Sequence, residues 1–259
     1  METDDDLVGR YLARIGLDDV PPPTVDGVEQ LMRAHLTTVP FENLDVFLQR
    51  GVATERSWSL TKVLNRNRGG WCFELNGAFA SLLQALGFEV RLLGAAVLLG
   101  GPNRIVDHLT LDVTVEGRPY LVDVGFGDGF AAPLPLNSGD ERRLDGRTAM
   151  FGFMGSAEGT TLVRYDDADM PEPQYRFRRV ALTLTDFEPA SDRLYHNRDG
   201  KFRQSPVATR LLDGGPDRVT LTSDRLRLAE NGQTTDMAID PGGQAWYDHL
   251  SRWFGIELD

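Results

Sequence analysis

The stretch RGGWCFELN, residues 68–76, holds the only cysteine in a chain of 259 residues, directly after two glycines and at the head of an apolar-periodic segment. From Cys72 onward, Leu75, Phe79, Leu82, Leu83 and Leu86 recur at helical spacing, and Gly87 stands where a helix would stop. The pattern predicts a helix whose first turn carries the thiol. Unpaired N–H groups and the helix dipole favour an anion at that end, and Glu74 suits it as well. Free cysteines are more often inert packing than reactive groups, so the position alone decides nothing. A working thiolate also needs a proton acceptor. Gly69 and Gly70 are expected to supply the unusual backbone conformations that a sharp turn bearing a nucleophile requires.

Outward from this stretch the chain changes character in order. DLVGRYLARIGL places Leu7, Val8, Tyr11, Leu12 and Ile15 on one helical face, and TVDGVEQLMRAHLTTV does the same with Val28, Leu31, Met32, His35 and Leu36 after the break at Pro21–Pro23. VPFENLDVFL reads as a connection, followed by a short helix around Leu60–Leu64. Beyond Gly87, the runs EVRLLGAAVLL, HLTLDVTV, PYLVDVGF, YRFRRVALTL and VTLTSDRLRL are β-branched-rich or alternating and are separated by turn residues. A closing helix is expected in QAWYDHLSRWF. This order, helices first and strands later, is that of an α+β protein and not of βαβ windings.

Composition narrows the function. With 41% hydrophobic and 25% charged residues, the chain is globular, and it has no apolar run of membrane-spanning length. Its 27 basic and 39 acidic residues give a net charge of −12, which disfavours nucleic acid and anionic membranes as partners. One cysteine excludes an internal disulfide and multi-cysteine metal sites. The acidic opening METDDDL lacks the pattern of a secretory signal, so a cytoplasmic location is the expectation.

Of four histidines, His35 and His249 fall on apolar helical stripes and His196 in the polar stretch YHNRDG, whereas His108 opens an alternating strand. Asp123 interrupts the apolar run YLVDVGFG, where a buried carboxylate needs a partner. A two-residue turn flanked by Glu116 and Pro119 would set Asp123 opposite Asp112, on the face of His108 but roughly 13 Å along the strand from it. That register gives a shared face without contact. If contact occurs, Asp123 orients His108, His108 takes the Cys72 proton, and the thiolate attacks a carbonyl. Helix N–H groups would stabilise the oxyanion. A hydrolase and an acyltransferase share this apparatus.

Together, VPFENLD, RGGWCFELNGAFASLLQALGF, DHLTLDV, YLVDVGFG and a final FGIEL resemble the arylamine N-acetyltransferase family, in that family's order. The resemblance implies a Cys–His–Asp triad of Cys72, His108 and Asp123. It implies an N-terminal helical bundle over residues 1–87, a central antiparallel β-barrel over 88–185 and a C-terminal α/β lid over 186–259. It assigns substrate binding to Phe41, Val106, Gly125, Phe126, Gly127 and Phe202, and structural support to an Arg68–Glu42 ion pair. No permanent cofactor or metal is implied. The resemblance implies acetyl-CoA as donor and a small aromatic amine or hydrazine as acceptor, joined by ping-pong chemistry. TDFEPASDRLYHNRDGKFRQSP departs from the family's third-domain pattern by placing Arg193, Arg198, Lys201 and Arg203 where a phosphate could be gripped. That phosphate would belong to CoA or to the phosphopantetheine arm of an acyl carrier protein. The second source fits the ansamycin amide synthases, a branch of the fold that closes macrolactams from polyketide thioesters.

Overall fold

The N-terminal helices take their ends from local chemistry. α1 (Asp4–Ile15) starts at Thr3, whose hydroxyl accepts the Asp6 amide while the Asp6 carboxylate accepts the Thr3 amide, and it stops at left-handed Gly16. α2 (Val25–Thr38) starts from Thr24 beyond the proline run, its hydroxyl accepting the Gly27 amide. The computed structural model describes residues 3–137, 143–144, 150–165, 170–212, 218–230 and 233–258.

The segment read as a plain connection carries two elements, β1 (Phe41–Glu42) and α3 (Leu44–Phe47). α4 (Arg56–Leu60) runs on into a π-helical turn at Thr61–Asn65. α5 (Cys72–Ala85) follows, and every residue from Cys72 to Leu83 is buried. A helix apolar on nearly all sides belongs at the centre of a fold. α5 packs on α1 and α4 on one side and on the first β-strands on the other.

Those strands form an eight-stranded antiparallel sheet, seven strands of which make a nearly closed barrel. In chain order they are β2 (Glu89–Val97), β3 (His108–Val115), β4 (Arg118–Val122), β5 (Leu134–Pro135), β6 (Arg143–Leu144), β7 (Met150–Ser156), β8 (Gly159–Tyr165) and β9 (Pro171–Leu182). The spatial order is β5-β4-β3-β2-β9-β8-β7-β6. The β3–β4 hairpin corrects the expected register. Thr114 pairs with Pro119 and Val115 with Arg118, so the turn residues are Glu116 and Gly117, at φ 50° and 76°. Two successive positive φ values define the tight hairpin turn that matches strand twist. Relative to the expected pairing, β4 slides by two residues. The same face stays inward, and Asp123 moves one full pleat repeat closer to His108.

The last part contains α6 (Glu188–His196), α7 (Lys201–Gln204), β10 (Val207–Leu211), β11 (Arg218–Thr222), β12 (Arg225–Glu230), β13 (Gln233–Ala238) and α8 (Gln244–Phe254). Its sheet runs β1-β10-β11-β12-β13, so the N-terminal strand β1 forms its edge, with Phe41 opposite Thr209 and Glu42 opposite Ala208. α8 covers this sheet through Trp246, Leu250 and Phe254, in a core that also takes Leu44. The Glu42 amide donates to the Gly70 carbonyl at 2.9 Å. Strand β1 therefore joins the C-terminal sheet directly to the cysteine turn.

Candidate active site

Cys72 is the first residue of α5 and is buried. The turn before it is tight through contact and not through unusual φ angles, which corrects the expectation for its glycines. Neither Gly69 nor Gly70 has positive φ. A Cβ on Gly69 would lie 1.8 Å from the Pro40 carbonyl oxygen, and one on Gly70 2.4 Å from Glu74 Oε2. Gly125 meets the same limit from the other side, since a Cβ there would stand 2.8 Å from Cys72 Cα.

Buried charge holds this turn. Arg68 Nη2 lies 2.7 Å from Glu42 Oε1 and 3.2 Å from Asp45 Oδ1. The expected Arg68–Glu42 pair is thus present as a contact, but it is part of a larger cluster that the sequence did not reveal. Lys62 Nζ sits 2.7 Å from Glu74, 2.8 Å from Asp45 and 3.8 Å from Glu42. The π turn carries Lys62, which is nearly inaccessible. Burial opposes its charge, but the three carboxylates outweigh burial and raise its pKa. Glu74 Oε2 also accepts the Trp71 amide, and Oε1 accepts the Trp58 indole N–H.

His108 and Asp123 are in contact. His108 Nε2 lies 2.7 Å from Asp123 Oδ2, both side chains are buried, and Cys72 lies close enough to favour the charged imidazole. Burial would lower the imidazole pKa, but the Asp123 charge and hydrogen bond, reinforced by Cys72, raise it to about 10. Burial would raise the Asp123 carboxyl, yet the His108 cation and several donors hold it below the usual carboxylate range. The raised pKa favours the imidazolium form beside the Asp123 carboxylate.

Three further donors to Asp123 complete the arrangement. Asn76 Nδ2 donates to Asp123 Oδ1 at 2.9 Å and to the Leu109 carbonyl at 2.6 Å, and Asn76 Oδ1 accepts the Val124 amide at 2.9 Å. Tyr175, in β9, donates its hydroxyl to Asp123 Oδ2 at 2.9 Å. The Gly125 amide adds a fourth donor, to Oδ1. Asn76 lies one helical turn after Cys72, and a polar residue on an otherwise apolar stripe is the signal that could have marked it. Tyr175 lies far along the sequence, and nothing local ties it to Asp123.

A cavity of about 950 Å³ opens onto Cys72 and His108. Phe41, Gly125, Phe126, Gly127 and Phe202 line it, five of the six residues expected to bind substrate. Val106 does not. Its side chain packs over Gly94 beside Leu182 and lines a separate groove, because the chain alternates faces as it enters β3 and Asp107 takes the inward position. The basic residues of the departing segment also divide. Arg193 donates to the Val106 carbonyl at 2.6 Å, and Arg203 donates to the carbonyls of Val46 and Phe47. Lys201 alone of the four lines the cavity, so the four do not line it together. Among the described residues no cluster of His, Cys, Asp or Glu could hold a metal ion, and no helix is long and apolar enough to cross a membrane.

A family model described as N-acetyltransferase matches residues 24–259. An arylamine N-acetyltransferase of Mycolicibacterium smegmatis is 31% identical over 259 residues, spanning 97% of this chain and 92% of the relative. Among solved structures, an arylamine N-acetyltransferase from Salmonella typhimurium gives a TM-score of 0.90 at 27% identity, covering 98% of this chain and 92% of its own. One from Mycobacterium marinum, solved in complex with CoA, gives 0.87 at 28% identity, covering 96% of this chain and 92% of its own.

Proposed function

The chain belongs to the arylamine N-acetyltransferase family, and from that premise we propose that it moves an acetyl group from acetyl-CoA to an aromatic amine or hydrazine through an acyl-Cys72 intermediate. The observation that carries this reading is the buried His108–Asp123 pair, 2.7 Å apart, with Cys72 and His108 lining one cavity. The proposal places the nucleophile in a helical segment, 1–87, and its two partners in a β segment, 88–185. Residues 186–259 form a lid over the donor.

In the first half-reaction His108 holds the proton that left the Cys72 thiol, and the thiolate attacks the thioester carbonyl of acetyl-CoA. Backbone N–H groups in the first turn of α5 face the oxygen as it gains charge, and each such donor contributes about 3 kcal/mol. The tetrahedral intermediate collapses, the bond to the CoA sulfur breaks, and the imidazolium returns its proton to that sulfur. In the second half-reaction an amine nitrogen attacks the acyl-cysteine and neutral His108 removes its proton. The amide leaves, and the thiolate–imidazolium pair is restored. Asp123 keeps the ring in one orientation and stabilises its cation throughout. Phe41, Phe126 and Phe202 offer faces and edges on which a flat acceptor ring packs.

Initial rates measured over a grid of acetyl-CoA and arylamine concentrations test the sequence of events. Parallel double-reciprocal lines are expected, with CoA released before amine is added. Intersecting lines together with no CoA release in the absence of amine would reject the acyl-enzyme.

A further inference from the structure

One wall of the cavity is the connection between β2 and β3, which presents Leu99, Gly100, Gly101, Pro102, Asn103 and Asp107 to it. A segment with two adjacent glycines and no regular structure is conformationally loose unless something ties it. Here one side chain does so at two points. Asp107 Oδ1 accepts the Val97 amide at 2.8 Å, where the segment leaves β2, and Asp107 Oδ2 accepts Asn103 Nδ2 at 2.7 Å, in its middle. Asn103 Oδ1 in turn accepts the Ile105 amide at 2.9 Å, closing a local turn. The Asp107 amide donates to the Ala95 carbonyl at 3.0 Å, and the Asp107 carbonyl oxygen lies 3.9 Å from Cys72 Sγ. The same residue thus touches the wall at its origin, the wall at its midpoint and the sulfur.

We propose that Asp107 is a positioning residue that fixes this wall relative to Cys72 and thereby sets which acyl donors and acceptor amines fit. The inference rests on Cys72 being the acylated nucleophile. Both carboxylate oxygens already accept amide hydrogens from the wall, an arrangement suited to a strut and not to a base acting on the incoming amine. The strut is made by the Asp107 side chain, whereas only its backbone carbonyl lies near the sulfur, so losing the strut leaves the His108–Asp123 hydrogen bond in place. Its effect should appear where substrates press on the wall, in binding of large donors and acceptors, and not in the intrinsic reactivity of the thiol.

The test is a polarity swap. Asp107→Asn turns one end of the Asp107–Asn103 contact into a donor facing a donor. Adding Asn103→Asp restores the bond in reverse, because the carboxylate introduced at 103 accepts from the amide introduced at 107 and still accepts from Ile105. The introduced amide's oxygen still accepts from Val97. For the single variant we expect KM for acetyl-CoA and for 6-aminoquinoline to rise by about tenfold, the weight of one charge-assisted hydrogen bond. Single-turnover acetylation of Cys72 by the small ester p-nitrophenyl acetate should fall by clearly less than the loss seen with acetyl-CoA, since the lost side-chain bonds run to the wall and not to the triad. Amide hydrogen exchange across residues 98–106 should quicken in the single variant, and the double variant should recover on every count. Unchanged KM in the single variant, an equal loss with p-nitrophenyl acetate, or a double variant no better than the single would overturn the role of Asp107. Failure of the wild type to acetylate at Cys72 would instead overturn the acyl-enzyme reading and this inference with it.

Discussion

Replacing Asn76 by alanine removes one fully buried amide that ties three parts of the site together. Its three hydrogen bonds reach the Leu109 carbonyl at the start of β3, the Asp123 carboxylate, and the Val124 amide. Alanine leaves the Leu109 carbonyl and the Val124 amide without that partner inside the core, each at a cost of about 1–3 kcal/mol, and deprives Asp123 of a charge-assisted bond of similar weight. The total of about 4 kcal/mol is a large share of the 5–15 kcal/mol that typically stabilises a folded domain. Urea unfolding followed by fluorescence reads the change as a lower midpoint at unchanged slope. Asn76→Asp provides the contrast: it keeps the shape but sets a second carboxylate against Asp123, so its deficit should shrink as pH falls and one of the two takes a proton. A midpoint for Asn76→Ala within about 0.5 kcal/mol of wild type would refute the reasoning, because surface substitutions away from such networks already scatter that much.

Other expectations follow from the same geometry. The His108 ring should titrate near about 10 by NMR, and Asp123→Asn should bring that value down sharply. Because the folded pKa lies above the unfolded value near 6.5, the stability this pair adds is complete below about pH 6.5 and is lost as pH rises toward about 10, a loss that Asp123→Asn should remove from the alkaline unfolding curve. Lys62→Met leaves Glu42, Asp45 and Glu74 facing one another without their shared cation and should cost roughly 3–5 kcal/mol in chemical unfolding. His35 behaves in the opposite sense to His108. Burial, with the Arg14 charge, lowers its pKa to about 3, so the unfolded chain takes up a proton that the folded one refuses as pH drops from about 6.5, and stability falls through that window. His35→Phe should flatten this acid limb, measured as the difference in urea midpoint between about pH 7 and about pH 4.5. Gly125→Ala drives a Cβ to 2.8 Å from Cys72 Cα and should abolish Cys72 acetylation while leaving helical circular dichroism close to wild type.

How much of this was legible in the sequence depended on whether the signal was local. α5 and α8 were readable because their apolar residues recur at 3.6-residue spacing within one short window, and both form at the expected residues. Cys72 and His108 stood out through local context, and Asp123 through its intrusion in an apolar strand. Their contact was not readable, because it depends on the placement of a single hairpin turn. With Glu116 and Gly117 as the turn residues Asp123 meets His108, whereas the alternative turn leaves it a pleat repeat away on the same face. Phe41–Glu42 did not read as a strand, since two residues carry no period and their partner, β10, lies far along the chain. The Lys62 cluster was hidden for a different reason. Lys62 is buried within a π turn, and no residue in TKVLN announces either the turn or the burial of a lysine. Val106 was misplaced because a resemblance transfers positions and not side-chain directions, and here the inward-facing residue is Asp107.

The most direct test of the account is to mix the protein with acetyl-CoA in the absence of amine, quench in acid, and locate any acetyl group by peptide mass mapping. The account predicts one acetyl group per chain, on the peptide containing Cys72, discharged when an arylamine is added before the quench. Steady formation of the acetylated amine by a protein that never carries acetyl on Cys72, or that retains full turnover as Cys72→Ser, would contradict it.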